Sequence, residues 1–406
     1  MNSVDKMSEI GSYCKNFIEK ICNEIGYRPS CSINSRKAAF VIKNELEKYC
    51  DEVIEEEFYG YPGFMKPLIG YPMWSTILYI IAVLEYLYYP LLSLIFSILA
   101  IYVSVFKLFA LEEYDFFYYL YPKQKGLNII GKMMPSNEPK KLVILGGHHD
   151  SAYIFPLYVK WKEKVVYFIY LIVVFAIIFV TLTILRIIYK NFIFNQNILT
   201  ILNYLIILPL IGSILIIIFG LFFISTRKSL GANDNLSAVS VCLAVAKELK
   251  SKMRLKQTEL WFVSFDSEES GMRGSKLFVK RRLNELKNRL TACINFDIIG
   301  VDEIILLPTK ESMYRATHSP KVYNKFKKAA DNLGIPVKIE KQSFGGTDSA
   351  PFSRKKLNAA SVLRLTETGF PTVWHSPNDI PENIDEKKLE EMVKITLEFV
   401  SLIDNE

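Results

Sequence analysis

Long charge-free stretches govern what this chain can become. Between Lys66 and Lys107 the only charged residue is Glu85. The segment from Val165 to Leu185 carries no charge, and neither does the one between Lys190 and Arg227, where 198–226 is dense in Ile, Leu and Phe. A helix crossing the hydrocarbon core of a bilayer needs about 20 mostly apolar residues. The first stretch is long enough for two such helices, with a turn near Glu85–Pro90, because Pro90 discourages one continuous helix. The other two stretches supply one helix each. The sequence therefore predicts four inserted transmembrane helices in two hairpins, within segments 60–122 and 152–229. Buried core helices are the competing reading. Length and apolarity disfavour it for the second pair, whereas Gly70, Pro72 and Glu85 blur the ends of the first.

A hairpin returns the chain to the side it left, so the polar remainder should share one face of the membrane. Lys66, Lys107, Lys160, Lys162, Lys164, Arg227 and Lys228 flank the spans on that side, against Arg186 and Lys190 between the last two. The positive-inside rule then places the polar domain in the cytoplasm. The run Tyr114, Phe116, Phe117, Tyr118, Tyr119 and Tyr121 reads as an interfacial belt. The opening MNSVDKMSEIGSYCKNFIEK is polar with a helical period, unlike the apolar core of a cleavable leader. Six cysteines in 406 residues do not make a disulfide framework. Scattered free thiols fit them, though an extracellular domain would allow Cys14, Cys22, Cys31 and Cys50 to pair. The net charge of +7 comes with no dense basic tract, so nucleic acid is not an expected partner. Nothing in the sequence fixes the oligomeric state.

Setting the two insertions aside leaves segments 1–59, 123–151 and 230–406, roughly 265 residues and within the range of one domain. Its pattern alternates. Helices are expected over 35–49, 236–249, 321–333 and 385–403. Strands are expected over 52–58, 128–133, 141–146, 259–265, 292–296, 336–340 and 359–365. Short apolar strands alternating with helices predict an α/β fold with a mostly parallel central sheet flanked by helices. Ligand sites in such sheets gather beyond the carboxyl ends of the strands.

Those ends carry the chemistry. Gly147-His148-His149-Asp150 follows the strand at 141–146, and Gly231-Ala232-Asn233-Asp234-Asn235 precedes the helix at 236. Asp266-Ser267-Glu268-Glu269 follows 259–265, Asp297 follows 292–296, and Trp374-His375-Ser376-Pro377 comes after a later apolar stretch. The chain has only 4 His, three of them in these segments. Imidazole and carboxylate without paired Cys suit zinc, and also cobalt or manganese. Any one of these residues means little. Carboxylates and imidazoles ending strand after strand of one sheet point to a metal site.

The segments GGHHDS (146–151), GANDN (231–235), FDSEESGMRGS (265–275), INFDIIG (294–300) and WHSPNDI (374–380) together resemble the family M28 zinc peptidases, which include leucyl-type aminopeptidases. The resemblance runs from about Ser35 to the end and omits the hairpins, so a membrane-embedded variant of the family is expected. It implies a dinuclear site with two zinc ions per chain. His148 and Asp297 match the ligands of the first metal, Glu269 and His375 those of the second, and Asp234 the carboxylate bridging them. Glu268 matches the general base, and Asp150 the acid that orients His148. The implied reaction is hydrolysis of N-terminal peptide bonds by a metal-bridging hydroxide. Three features depart from the family. His148 and Asp234 are 86 positions apart, far more than in soluble relatives. Trp374 stands where some relatives carry a Tyr that assists the oxyanion, and its indole N–H is its only donor. Thr347-Asp348-Ser349 replaces a Ser-Asp-His motif, so Asp348 either supports the site or only a turn. His149 and His318 are not read as ligands.

Other readings of the same residues are a carboxypeptidase, another amide hydrolase, or a cyclase acting on N-terminal glutamine. A carboxypeptidase would want an Arg cluster, for which Arg273, Arg281, Arg282, Arg354 and Arg364 are available. The intact Glu268-Glu269 pair speaks against a cyclase. A non-catalytic, receptor-like membrane protein would be expected to have lost metal ligands. A transporter would want charged residues within its spans.

Overall fold

The computed structural model describes residues 3–108, 120–252, 255–343 and 345–406. Elements are numbered along the chain. The first are α1 (Ser3–Glu24), α2 (Ile33–Leu46), β1 (Glu52–Gly60), α3 (Tyr71–Glu85) and α4 (Pro90–Leu108). Next come β2 (Gln124–Met133), β3 (Lys141–His148), α5 (Pro156–Trp161), α6 (Val165–Ile188), α7 (Gln196–Tyr204) and α8 (Ile207–Phe222). Then follow α9 (Ser237–Lys252), β4 (Thr258–Phe265), α10 (Arg273–Arg289), β5 (Leu290–Asp297), β6 (Ile304–Glu311) and β7 (Ala316–Thr317). The chain closes with α11 (Pro320–Asn332), β8 (Val337–Gln342), α12 (Ser349–Arg354), β9 (Ala359–Leu365) and α13 (Glu386–Asp404). Two compact units result. One comprises Met1–Pro62, Tyr119–Tyr153 and Lys228–Glu406, the other Gly63–Tyr118 and Ile154–Arg227.

The first unit is built on a nine-stranded sheet in the order β1-β2-β4-β3-β5-β9-β6-β7, with β8 also paired to β6. The sheet is mixed, and this corrects the mostly parallel expectation. Only β4–β3–β5–β9 and β6–β8 pair in parallel, whereas β1–β2, β2–β4, β9–β6 and β6–β7 are antiparallel. The physical reason lies at the flanks. The central strands β3 and β4 are continuous apolar runs buried on both faces, as parallel strands are. In β1 buried and exposed residues alternate from Glu55 onward, the pattern of an antiparallel strand with one solvated face.

Helices cover both faces of this sheet. On one side α1, α2, α9, α11 and α13 share a core with residues such as Ile18, Ile42, Val245, Phe326 and Phe399. On the other, Phe278 and Val279 of α10 and Phe352 of α12 pack on Ile144, Trp261 and Phe265. Local signals set the helix starts. Ser32 caps α2 by accepting from the Ser35 N–H at 3.1 Å, and Asp385 caps α13 by accepting from Lys387. In α13 the buried Leu389, Met392, Val393, Thr396, Phe399, Val400 and Ile403 recur at helical spacing. The strand order reverses about β3, with β4 on one side and β5 on the other. Such reversals open a crevice at the carboxyl ends.

The second unit holds α3 to α8. Among the described residues two helical stretches, not four, are long and apolar enough to cross a membrane: Pro156–Ile193 (38 residues) and Gln196–Phe222 (27 residues). Tyr71–Glu85, and Pro90–Ser104 within α4, are shorter apolar stretches among the described residues. In α3 the punctuation explains it. Gly70 and Pro72 start α3 late, and Glu85 ends it after 15 residues. Most of the aromatic run, 114–119, lies outside the described residues. Inside this unit hydroxyls bond back to the main chain: Thr76 to Pro72 O, Ser93 to Ala82 O and Tyr86 to Leu202 O. Outside it Leu84, Leu91, Tyr167, Ile177, Ile207 and Ile214 are exposed.

Candidate metal centre

The end of β3 delivers His148, and close packing makes this strand end possible. A Cβ on Gly147 would stand 2.5 Å from the Ala238 methyl, so only glycine lets β3 and α9 approach here. His148 is buried, and its Nε2 faces Asp234 Oδ1 at 3.2 Å, Asp297 Oδ1 at 3.8 Å and Glu268 Oε2 at 3.9 Å. Across the site His375 Nε2 lies 3.1 Å from Glu269 Oε2 and 3.3 Å from Asp234 Oδ2. The two oxygens of Asp234 thus face one imidazole each. Three overlapping groups form: His148, Asp234 and Asp297; His148, Glu268 and Glu269; Asp234, Glu269 and His375. Within each group the nearest donor atoms lie within 4.8 Å of one another.

Backbone geometry aims these side chains. Ser267, Ile298 and His375, each a ligand candidate or within two residues of one, have φ of +68°, +48° and +47°. Left-handed backbone at non-glycine residues costs on the order of 1–3 kcal/mol each and collects at functional sites. Asp379 accepts from the N–H groups of Asn233 (2.6 Å) and Asp234 (3.3 Å), which ties the Asp234 turn to the His375 segment. Asn233 Oδ1 accepts from Gly300 N, and Asn235 bonds Phe296 O, so the same turn is fixed to the end of β5. Asp150 accepts from the Glu268 and Glu269 N–H groups at 3.1 and 3.2 Å and from Ser30 Oγ at 2.6 Å. Its Oδ1 lies 3.4 Å from His148 Nδ1, whose nearer acceptor is the carbonyl of Asp150 itself at 3.2 Å.

The electrostatics are those of an acidic cage. Burial raises the carboxyl pKa values of Glu268, Glu269 and Asp297, and neighbouring carboxylates add to the rise, Glu269 at Glu268 and Asp234 at the other two. Burial alone would lower His375, but Glu269 and Asp234 hold it up at about 9. His148 Nε2, Asp234 Oδ2, Glu269 Oε1 and Asp297 Oδ1 are buried without a hydrogen-bond partner. Converging, buried, unsatisfied acceptors on imidazole and carboxylate fit a divalent cation of the zinc class.

Trp374 lies against His375, with ring centroids 4.0 Å apart and the ring planes tilted by 34°. Asp348 is buried at the start of α12, its carboxylate oxygens lack hydrogen-bond partners, and it lies in the field of His148. His149 bonds Ser264 Oγ, and His318 lies between Glu311 and Ser353, so both imidazoles are engaged elsewhere. All six cysteines are free thiols. Sequence reasoning gave no role to Arg28, Ser30 or Asp379. Asp379 at least stood within the quoted WHSPNDI segment, whereas nothing in the sequence marked Arg28.

The family model described as Peptidase family M28 matches residues 220–400. Over that segment the chain is similar to family M28 peptidases. The M28 match takes in Asp234, Glu268, Glu269, Asp297, Asp348 and His375, and begins after His148. Aminopeptidase YwaD of Bacillus subtilis (strain 168) is 30% identical over 172 residues, 41% of this chain and 36% of that protein. The chain thus spans little more than a third of that relative's length. The crystal structure of BSAP, a zinc aminopeptidase from Bacillus subtilis, superposes with a TM-score of 0.58 at 16% identity, covering 97% of this chain and 95% of that one. The glutaminyl cyclase of Fimbriiglobus ruber superposes with a TM-score of 0.57 at 13% identity, over 97% and 95%. At these identities the likeness is one of fold, common to an aminopeptidase and a cyclase.

Proposed function

We propose that this chain is a membrane-anchored zinc metallopeptidase of the aminopeptidase type, acting on N-terminal peptide bonds. The observation that carries the reading is the set of buried, unpartnered donor atoms on His148, Asp234, Glu269 and Asp297, with His375 closing the far side. His148 and Asp297 would hold one ion, Glu269 and His375 a second, and Asp234 would lie between the two. Divalent ions bound there supply Lewis acidity, polarising a substrate carbonyl and acidifying water.

The chain's own residues supply the rest. Glu268 stands beside the cage with a carboxyl whose pKa is raised by burial and by Glu269, Asp348 and Asp297. A base of raised pKa takes a proton from attacking water and passes it to the leaving amine. Asp150 holds the Glu268 and Glu269 backbone and keeps His148 in register. Trp374 packs against His375 and orients that ring.

The carboxypeptidase reading loses ground to the arginines. Arg282 pairs with Glu56, Arg281 bonds the Glu57 carbonyl, and Arg364 pairs with Glu391. Arg273 lies over the Tyr61 ring. Membrane anchoring rests on the second unit, whose two long apolar helices carry exposed apolar side chains while buried hydroxyls satisfy themselves on the main chain, as a hydrocarbon surrounding requires. The basic residues flanking the insertions favour a cytoplasmic peptidase unit by the positive-inside rule. To test the activity, the full chain in detergent is stripped with a chelator and assayed on a panel of aminoacyl amides. Hydrolysis should vanish and return with zinc. Activity that persists after complete metal removal would contradict the reading.

A further inference from the structure

Arg28 lies in the segment between α1 and α2 and is wholly buried. Its guanidinium donates to three carbonyls from three parts of the chain: Gly26 at 2.8 Å through Nη1, His149 at 2.8 Å through Nε and Gly231 at 3.1 Å through Nη2. Its main chain joins in. Arg28 N donates to Ser151 Oγ, and Ser151 N donates to Arg28 O, both at 2.9 Å. His149 and Ser151 belong to the loop that carries His148 and Asp150, and Gly231 begins the turn that carries Asp234. In sequence those two loops are separated by the whole apolar insertion. In the fold they meet where Ser229 N bonds Ala152 O at 2.9 Å and Tyr153 bridges to Lys228.

Gly231 makes the approach possible. Its φ is +64°, and a Cβ there would meet Asp234 O at 2.5 Å, Ser151 Cβ at 2.7 Å and Arg28 Nη2 at 2.9 Å. Asp150 and Asp379, the two acids that accept from the backbone of the Glu268-Glu269 and Asp234 loops, lie in the field of the guanidinium. A buried cation needs such company. Only arginine offers several donors in a fixed planar fork. Lysine brings the same charge as a point on a flexible stem.

We propose that Arg28 is a positioning residue for the metal centre, its guanidinium pinning the His148 loop to the Asp234 turn across the mouth of the insertion. The inference rests on the metal-site reading above. A tie between two ligand loops should behave like other outer partners of ligands, whose loss weakens metal binding by about 10–100-fold.

The test is zinc affinity of the full chain, measured by chelator competition, for wild type, Arg28→Lys and Arg28→Gln. Leu249→Ala, a core substitution away from the site, serves as a destabilised control, and thermal unfolding of the metal-free proteins is followed in parallel. The expected result is a zinc affinity at least 10-fold weaker in both Arg28 variants, partly recovered by methylguanidinium in Arg28→Gln, with the control unchanged. Wild-type affinity in Arg28→Lys and Arg28→Gln overturns the proposal. So does an equal loss in the control, or an Arg28→Lys protein that does not fold, because Arg28 would then serve the fold at large. Wild-type protein that holds no zinc sinks the metal-site reading itself.

Discussion

Glu268 and Glu269 are neighbours in the chain with different surroundings. Glu269 Oε2 lies 3.1 Å from His375 Nε2, whereas Glu268 reaches His148 Nε2 only at 3.9 Å. On the proposed reading the nearer carboxylate binds metal and the farther one moves a proton. Glu268→Gln should therefore keep its zinc content and lose at least ~100-fold in turnover, the scale of a lost general base. Metal analysis and kcat on one preparation check this, and a fully active variant would contradict the role. The cage residues were legible in the sequence because each ends a strand or sits in a short motif. The residues that hold the cage were not. Arg28 acts on carbonyls more than 100 positions away, and Asp379 accepts from N–H groups 146 and 145 positions away. Bonds between a side chain and a distant backbone leave no periodic trace.

Elements were legible where periodicity was strong. β3, β4, β5, β9 and α13 lie where apolar runs and helical spacing put them. The reading gave no place to β6, or to α10 with its abundance of charge and few apolar residues. The direction of the outer strands depends on pairing partners that alternation alone does not name. One element contact has a measurable pH signature. Asp404, near the end of α13, accepts from the N–H groups of Lys256, Gln257 and Thr258 at 2.8–3.0 Å, joining that helix to the start of β4. Burial alone would raise its carboxyl pKa, but these bonds hold it below the usual range. Its contribution is thus fully present above about pH 4, the ordinary carboxyl pKa, and is lost as pH falls through the depressed value. Asp404→Ala should cost about 1–3 kcal/mol at pH 7 and less in strong acid. Denaturant unfolding at both pH values checks it, and an equal cost at both would contradict the link.

At the scale of the molecule, the sequence located the apolar insertions, but among the described residues two helical stretches rather than four are long enough to span, and Gly70, Pro72 and Glu85 confine α3 to 15 residues. Topology needs introduced thiols, since Cys242 and Cys293 are buried and would escape a label on either side. Phe194→Cys, exposed between the two long helices, should react with a membrane-impermeant maleimide in intact cells, and Glu367→Cys, exposed beyond β9, should react only after lysis. The reverse pattern would place the peptidase unit outside. The account as a whole depends on the first unit holding divalent ions. Anomalous scattering at the zinc edge from crystals of the full chain tests this directly. The expected result is two peaks, one between His148 and Asp297 and one between Glu269 and His375, with Asp234 reaching both. Zinc-loaded crystals with no peak among these side chains would contradict it.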